Sequence, residues 1–310
     1  MNKVDAITTL HLRNEAQFFT FNLEENGDLY AINIFKIKEI IKYQKEFIDI
    51  ISDVPFVEGL IVVRDYNIPV IDMRKWFYYR GININLENYS IASNDKVIMI
   101  CDFSGILVGI RIYQAHRILT KKWSEITRND DDNNPSQKVI GHTKYYDGKI
   151  VQIVDIEKMA VEAFPWIEEE KEKELETISK IDLDKYVLIA DDSKPVLNIM
   201  SKIMDKLGLK HKLFNNGQEL LDFLFSNGPE KIGVIITDLE MPVASGFEVI
   251  KQVKNEPQYT HIPIIVNSSM SGKSNEDMAK SLNADGFVSK SNPREIEQNI
   301  KKVLNIQGEI

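Results

Sequence analysis

The chain has 310 residues, 43% hydrophobic and 27% charged, which is enough material for two ordinary cores. Its formal net charge of −9 repels phosphate backbones and no basic helix offsets it, so no nucleic-acid partner is expected. Five scattered histidines and one cysteine leave little for imidazole metal sites, Ser/His/Asp triads or disulfides, so any chemistry must rest on carboxylates.

The N-terminal stretch "MNKVDAITTLHLRNE" lacks the apolar core and cleavage site of a signal peptide. No apolar run approaches the ~20 residues of a membrane helix. The reading is a cytoplasmic protein without direct membrane insertion. From about Ala16 to Asp155 short strands alternate with turn signals. "QFFTFNLEENGDLYAINI" predicts a hairpin around Asn26-Gly27, and "VIGHTKYYDGKIVQIVDI" another around Asp147-Gly148. "GLIVVRDYNIPVID" and "DKVIMICDFSGILVGIRI" add two further strand pairs, with Cys101 read as a small buried hydrophobe. Such spacing predicts an all-β, barrel-like domain. Thr127 to Gln137, "TRNDDDNNPSQ", is expected to be a solvated loop; its acids could instead hold a cation.

The charged run Glu162 to Lys180 predicts an exposed helical linker with i,i+4 pairs. Beyond Asp184 strands and helices alternate as five βα units, which predicts a parallel sheet with helices on both faces. Ligands of such folds sit beyond the carboxyl ends of the strands. The first strand of this half ends in Asp191 and Asp192 and the third in Asp238, within "DLEMP". If those strands are neighbours, three carboxylates share one pocket and need a cation. Oxygen-only ligands favour Mg²⁺, and Asp238 is the candidate nucleophile toward a phosphoryl group. Strand four brings Ser268 as a hydroxyl donor and strand five brings Lys290 as a point charge. Each has a plainer alternative: the aspartates and Ser268 as turn formers or helix caps, Lys290 as a helix-edge charge.

Tyr186 to about Gln307 resembles a response-regulator receiver domain through "VLIADDS", "VIITDLEMPVASGFEVI", "IPIIVNSS" and "DGFVSK". The resemblance implies a (βα)5 flavodoxin-like fold with Asp238 as phosphoacceptor, Asp192 as a direct Mg²⁺ ligand and Asp191 acting mainly through water. It further implies the Glu240 backbone carbonyl as a metal ligand, Ser268 and Lys290 as phosphoryl partners, and Phe287 as a switching aromatic; a static core ring is the alternative for Phe287. Receivers commonly carry proline directly after the lysine, whereas here Ser291 follows and proline waits until Pro293.

The N-terminal half resembles the CheW-like coupling domain through "LYAINIFKIKEII", "VEGLIVVRDYNIPVIDMRKWF", "VGIRI" and "VIGHTKYYDGKIVQIVDIEKM". That family implies a non-catalytic double barrel, two small five-stranded barrels that bridge chemoreceptor tips and the histidine kinase CheA. Ile37, Glu39 and Arg64 fall on positions implicated in partner contact; core packing for Ile37 and a surface ion pair for Glu39 and Arg64 are the alternatives. Asp65 stands where a glycine is usual.

A coupling domain followed by a receiver resembles the CheV family of chemotaxis proteins. The expected layout is an N-terminal extension over 1–15, a coupling domain over 16–163, a charged helical linker over 164–183 and a receiver over 184–310. The implied function is a cytoplasmic adaptor recruited to receptor arrays and regulated at Asp238, not an enzyme with an external substrate. A phosphate sink for CheA, or a constitutive structural adaptor with an inactive receiver, are the other readings.

Overall fold

The computed structural model describes residues 15–43, 47–50, 52–78, 97–103, 106–129, 137–268, 280–290 and 292–306. The side chains of residues 167, 168, 170 and 289 are not part of that description. The chain divides into two compact units that meet in sequence between Ile167 and Glu168.

The first unit is built on two curled sheets. One has the order β8-β1-β2-β11-β10-β9, formed by β1 (Glu15–Asn22), β2 (Leu29–Asn33), β8 (Gln114–Lys122), β9 (Thr127–Arg128), β10 (Val139–Lys144) and β11 (Ile150–Val154). The other has the order β3-β6-β7-β5-β4, formed by β3 (Ile37–Lys42), β4 (Val57–Val63), β5 (Tyr66–Asp72), β6 (Val97–Phe103) and β7 (Ile106–Ile112). The first sheet therefore has six strands where five were expected. Thr127 and Arg128, assigned from sequence to the solvated loop, pair instead with His142 and Gly141. The second sheet curls until its edges meet, since Ile48, just beyond β3, exchanges backbone hydrogen bonds of 2.8 and 2.9 Å with Leu60 of edge strand β4. A side chain at Gly59 would lie 2.8 Å from the Ile48 carbonyl, so glycine permits this closure.

Strand alternation distributes the core. In β1, Ala16 and Phe18 fill the first sheet's own interior, while Phe19 and Phe21 point to a larger core shared with the second sheet. In β6, Ile98 and Ile100 face the second interior and Met99, Cys101 and Phe103 the shared core. Burial pushes the Cys101 thiol up to about 12, the behaviour of an inert core residue. Helices α1 (Met73–Tyr78) and α2 (Ile156–Ala163) close this core with Met73, Trp76, Ile156 and Met159.

The turns refine the sequence reading. The β1–β2 connection is a six-residue loop, Leu23 to Asp28, not a tight two-residue turn. Asn26 takes φ 56, and Asn22 Nδ2 donates to the Gly27 and Asp28 carbonyls, each at 2.8 Å. The β4–β5 turn is tight, with Arg64 and Asp65 both at positive φ, 47 and 70.

Helix α3 (Trp166–Thr177) follows. The second unit then carries β12 (Tyr186–Ala190), α4 (Lys194–Leu207), β13 (His211–Phe214), α5 (Gly217–Asn227), β14 (Ile232–Thr237), α6 (Gly246–Asn255), β15 (Ile264–Ser268), β16 (Gly286–Ser289) and α7 (Pro293–Val303). Its sheet is all parallel in the order β13-β12-β14-β15-β16, which makes the first and third strands neighbours. All six residues of β14 are buried, as a strand covered on both faces requires. Gly208 ends α4 at φ 73, and Asn216, Ser245 and Asn292 cap the N-termini of α5, α6 and α7. One face of the sheet packs on Leu197, Met200, Ile203 and Met204 of α4 and on Ile296 and Ile300 of α7.

Candidate functional site

The strand order brings together the groups that the sequence placed at separate strand ends. Asp191 and Asp192 follow β12, Asp238 follows β14, and Lys290 follows β16. One carboxylate oxygen from each of Asp191, Asp192 and Asp238 lies within 4.8 Å of the others. Lys290 Nζ donates to Asp238 Oδ2 at 3.0 Å and stands 3.1 Å from Asp191 Oδ2. Asp191, Asp238 and Lys290 are buried, with relative exposures of 1, 5 and 8%.

Backbone bonds fix these side chains. Asp191 Oδ1 accepts from Ser193 N at 2.9 Å, and Asp238 Oδ1 from Leu239 N at 2.7 Å. Asp238 N donates to Ala190 O at 2.9 Å, tying the third strand end to the first. Ser268 is buried at the end of β15, and its carbonyl accepts from Lys290 N at 3.1 Å. Glu240 is half-buried in the loop after Asp238, and Phe287 is half-buried on β16 opposite Val266. Ser291 lies outside the described residues.

The electrostatics are unbalanced. Burial pushes the Asp191 carboxyl well above the ordinary range; Lys290 opposes this, while Asp238 and Asp192 reinforce it. Asp238 is raised for the same reasons, burial first, then Lys290 against and Asp192 in favour. Three acids face one base. Among the described residues Asp191 Oδ2 is buried without an aligned hydrogen bond, its near neighbour being the Lys290 ammonium at 3.1 Å. Three carboxylates within reach of one another, one with a buried oxygen that lacks an aligned donor, suit a hard, oxygen-seeking dication, so the donor set fits Mg²⁺.

Several residues that shape the site were missed in the sequence. The loop after Asp238 contains Val243 at φ 68, with Ala244 N donating to Pro242 O at 2.8 Å. This is a γ-turn, rarely seen and strained for a β-branched residue. Two glycines hold the loop close. A side chain at Gly246 would sit 2.0 Å from the Asp238 carbonyl, and one at Gly217 would sit 2.5 Å from the Ala244 carbonyl. Glycine at the first position of the α6 pattern was the available signal for Gly246.

In the first unit, Arg64 Nη2 donates to Glu39 Oε1 at 2.9 Å, joining the β4–β5 turn to edge strand β3. Ile37 opens β3, half-buried against the shared core, and the pairing with β6 is irregular between Ile37 and Glu39. Ile37 is thus a packing residue on the same strand as the exposed ion pair. A second charged group was not anticipated: buried Arg111 pairs with Asp72 and, at 2.9 Å, with Glu58, while Lys75 lies 3.6 Å from Glu58. It joins β7, β5, β4 and α1.

Comparison with known proteins gives the family. Residues 17–164 match the CheW-like domain and residues 187–301 match the response regulator receiver domain. Chemotaxis protein CheV1 of Helicobacter pylori is 52% identical, over 98% of both chains. Chemotaxis protein CheV2 of the same organism is 40% identical, over 97% of this chain and 99% of its own. The scaffolding protein TtCheW of Thermoanaerobacter tengcongensis is 26% identical, with a TM-score of 0.37, over 45% of this chain and 88% of its own. The chain belongs to the CheV family of chemotaxis proteins, adaptors that join a CheW-like domain to a receiver domain. Both are signalling domains. Among the described residues no helix is long and apolar enough to cross a membrane.

Proposed function

We propose that this adaptor links cytoplasmic chemoreceptor tips to the histidine kinase CheA, and that phosphorylation of Asp238 sets the strength of that link. The observation that carries the proposal is the trio Asp191, Asp192 and Asp238, whose carboxylate oxygens lie within 4.8 Å of one another beside the buried Lys290 ammonium. An Asp238 oxygen attacks the phosphoryl group of a phosphohistidine. The new P–O bond forms as the P–N bond breaks, and the released imidazole nitrogen takes up a proton from solvent. Lys290 pairs with the added anionic charge and Ser268 offers its hydroxyl to a phosphoryl oxygen. The Asp191, Asp192 and Asp238 carboxylates and the Glu240 carbonyl would hold Mg²⁺, which supplies charge screening during transfer. Hydrolysis of the acyl phosphate on the same aspartate resets the protein, so no external substrate is turned over.

On this reading residues 16–163 form the coupling domain, residues 164–183 the connector and residues 184–310 the receiver. Exposed Arg64 and half-buried Glu39, paired with each other, form the partner contact together with Ile37. The protein acts in the cytoplasm at membrane-associated receptor arrays. The test is transfer of labelled phosphate from autophosphorylated CheA to wild type and to Asp238→Asn, with Mg²⁺ present or chelated. Labelling that needs Mg²⁺ and disappears in the variant is the expected result. An unlabelled wild type would leave a constitutive adaptor. Rapid labelling with unchanged receptor and kinase binding would make the receiver a phosphate sink.

A further inference from the structure

Residues 175–184 form a strap on the receiver unit, where a flexible connector would stay solvated. Ile178 and Ile181 are buried, and Leu175 and Leu183 pack on the same core as α4 and α7. Two separate sets of polar contacts hold the strap. Toward the end of α4, Ile181 N donates to Leu207 O at 2.9 Å, and Lys206 pairs with Glu176 at 2.9 Å. Toward α7, Arg294 Nε donates to Thr177 Oγ1 at 3.0 Å. Ser179 N and Oγ both donate to Glu297 Oε1, at 3.1 and 2.8 Å. Lys301 Nζ donates to the same oxygen at 2.7 Å and to Ser179 Oγ at 3.2 Å.

The second set leads back to the site. Helix α7 begins three residues after Lys290, and Arg294 lies in its first turn. Lys290 is held at its backbone by Ser268 and at its ammonium by Asp238. The end of α4, by contrast, anchors the strap without involving Lys290. The strap thus bridges α7, whose start follows Lys290, and the C-terminal end of α4, the end opposite to the one that Ser193 ties to Asp191.

Resting on the phosphoacceptor reading, we propose that residues 175–184 are the receiver's output element. A phosphoryl group on Asp238 draws Lys290 away from Asp191, shifts the start of α7, and weakens the Arg294–Thr177 and Glu297–Ser179 contacts. The α4 anchor lies at the far end of a 14-residue helix from Asp191 and stays in place, so the strap loosens from one side. Asp238 holds Lys290, the chain after Lys290 leads into α7, and α7 holds Ser179, so α7 is the element that the site would bias between two positions.

The experiment is hydrogen–deuterium exchange on the full chain in Mg²⁺, with and without beryllofluoride, an acyl-phosphate mimic. The expected result is slower exchange at residues 237–246 and about tenfold faster exchange at residues 175–184, the loss of one charge-assisted hydrogen bond. Slower exchange at 237–246 with no change at 175–184 would overturn the strap and leave the phosphoacceptor reading standing. No response at 237–246 would overturn both. Glu297→Gln, outside the acid pocket, is expected to loosen the strap in both states while 237–246 still responds. A strap response of undiminished size in that variant would refute the route through Glu297.

Discussion

Asp191→Asn tests the claim that the acid pocket is electrostatically frustrated until a cation arrives. At an effective dielectric of ~20, a unit-charge pair within 4.8 Å is worth at least ~3.5 kcal/mol, so Asp191's repulsion from Asp238 and Asp192 totals at least ~7 kcal/mol. The attraction to Lys290 at 3.1 Å is worth ~5.4 kcal/mol on the same scale. Removing the charge therefore favours the folded state by about 1.5 kcal/mol before any relief of burial, or about 5 °C in the receiver's melting transition. An asparagine oxygen keeps the Ser193 N–H bond, so little else should change.

The sign of the pH dependence follows from the raised Asp191 and Asp238 carboxyls. Between the ordinary carboxylate range and their raised values, the folded state holds more protons than the unfolded one. Wild-type stability in chelator must then fall as pH rises through that window. The variant should show a shallower fall and a higher melting point at neutral pH, read by calorimetry. Excess Mg²⁺ should reverse the order by stabilising wild type more than the variant, through mass action on the folded state. A variant that melts no higher than wild type in chelator at neutral pH would refute the frustration argument.

Gly246→Ala drives a methyl group into the Asp238 carbonyl, which should cost about 1–3 kcal/mol and abolish the beryllofluoride response; denaturant titration and exchange would read both, and a neutral outcome would mean that the loop yields freely. Arg111→Met takes the ion-pair partner from buried Asp72 and leaves Glu58 to Lys75, so urea unfolding of the coupling domain should show a loss of about 3–5 kcal/mol. Glu39→Ala and Arg64→Ala break an exposed pair, so stability should change by under ~1 kcal/mol while pull-down of receptor and kinase weakens markedly. Unchanged pull-down would return that pair to a purely local role.

The order of elements was legible because period-two alternation and alternating βα units are properties of the chain alone. Tyr186–Ala190, Ile232–Thr237 and Ile264–Ser268 fall on the apolar runs that predict them, and the acidic ends of the first two meet Lys290 of β16 once strand order is known. What stayed hidden depends on approach in three dimensions. Gly246 is distinguished only by the carbonyl above it, and the β9 pairing of Thr127 and Arg128 is made by a partner strand 13 residues downstream, at Gly141 from Arg128. Ile178 and Ile181 stand as isolated apolar residues near a charged run. Their burial appears only when α4 and α7 are in place to receive them.

The two buried charge clusters show why balance separates framework from site. Around Arg111, two acids face two bases, Asp72 and Glu58 against Arg111 and Lys75. Asp72 also accepts from the backbone of Arg74 and Lys75, so the group stabilises the joint between β5 and α1 with its charge internally compensated. At Asp238, three acids gather beside the Lys290 ammonium, an excess of negative charge among the described residues. Selection for stability alone would replace such a carboxylate, because an amide of the same shape relieves the repulsion. A net negative pocket held in place by strained Val243 and close-packed Gly246 is instead poised to gain from a cation and then to accept a phosphoryl group.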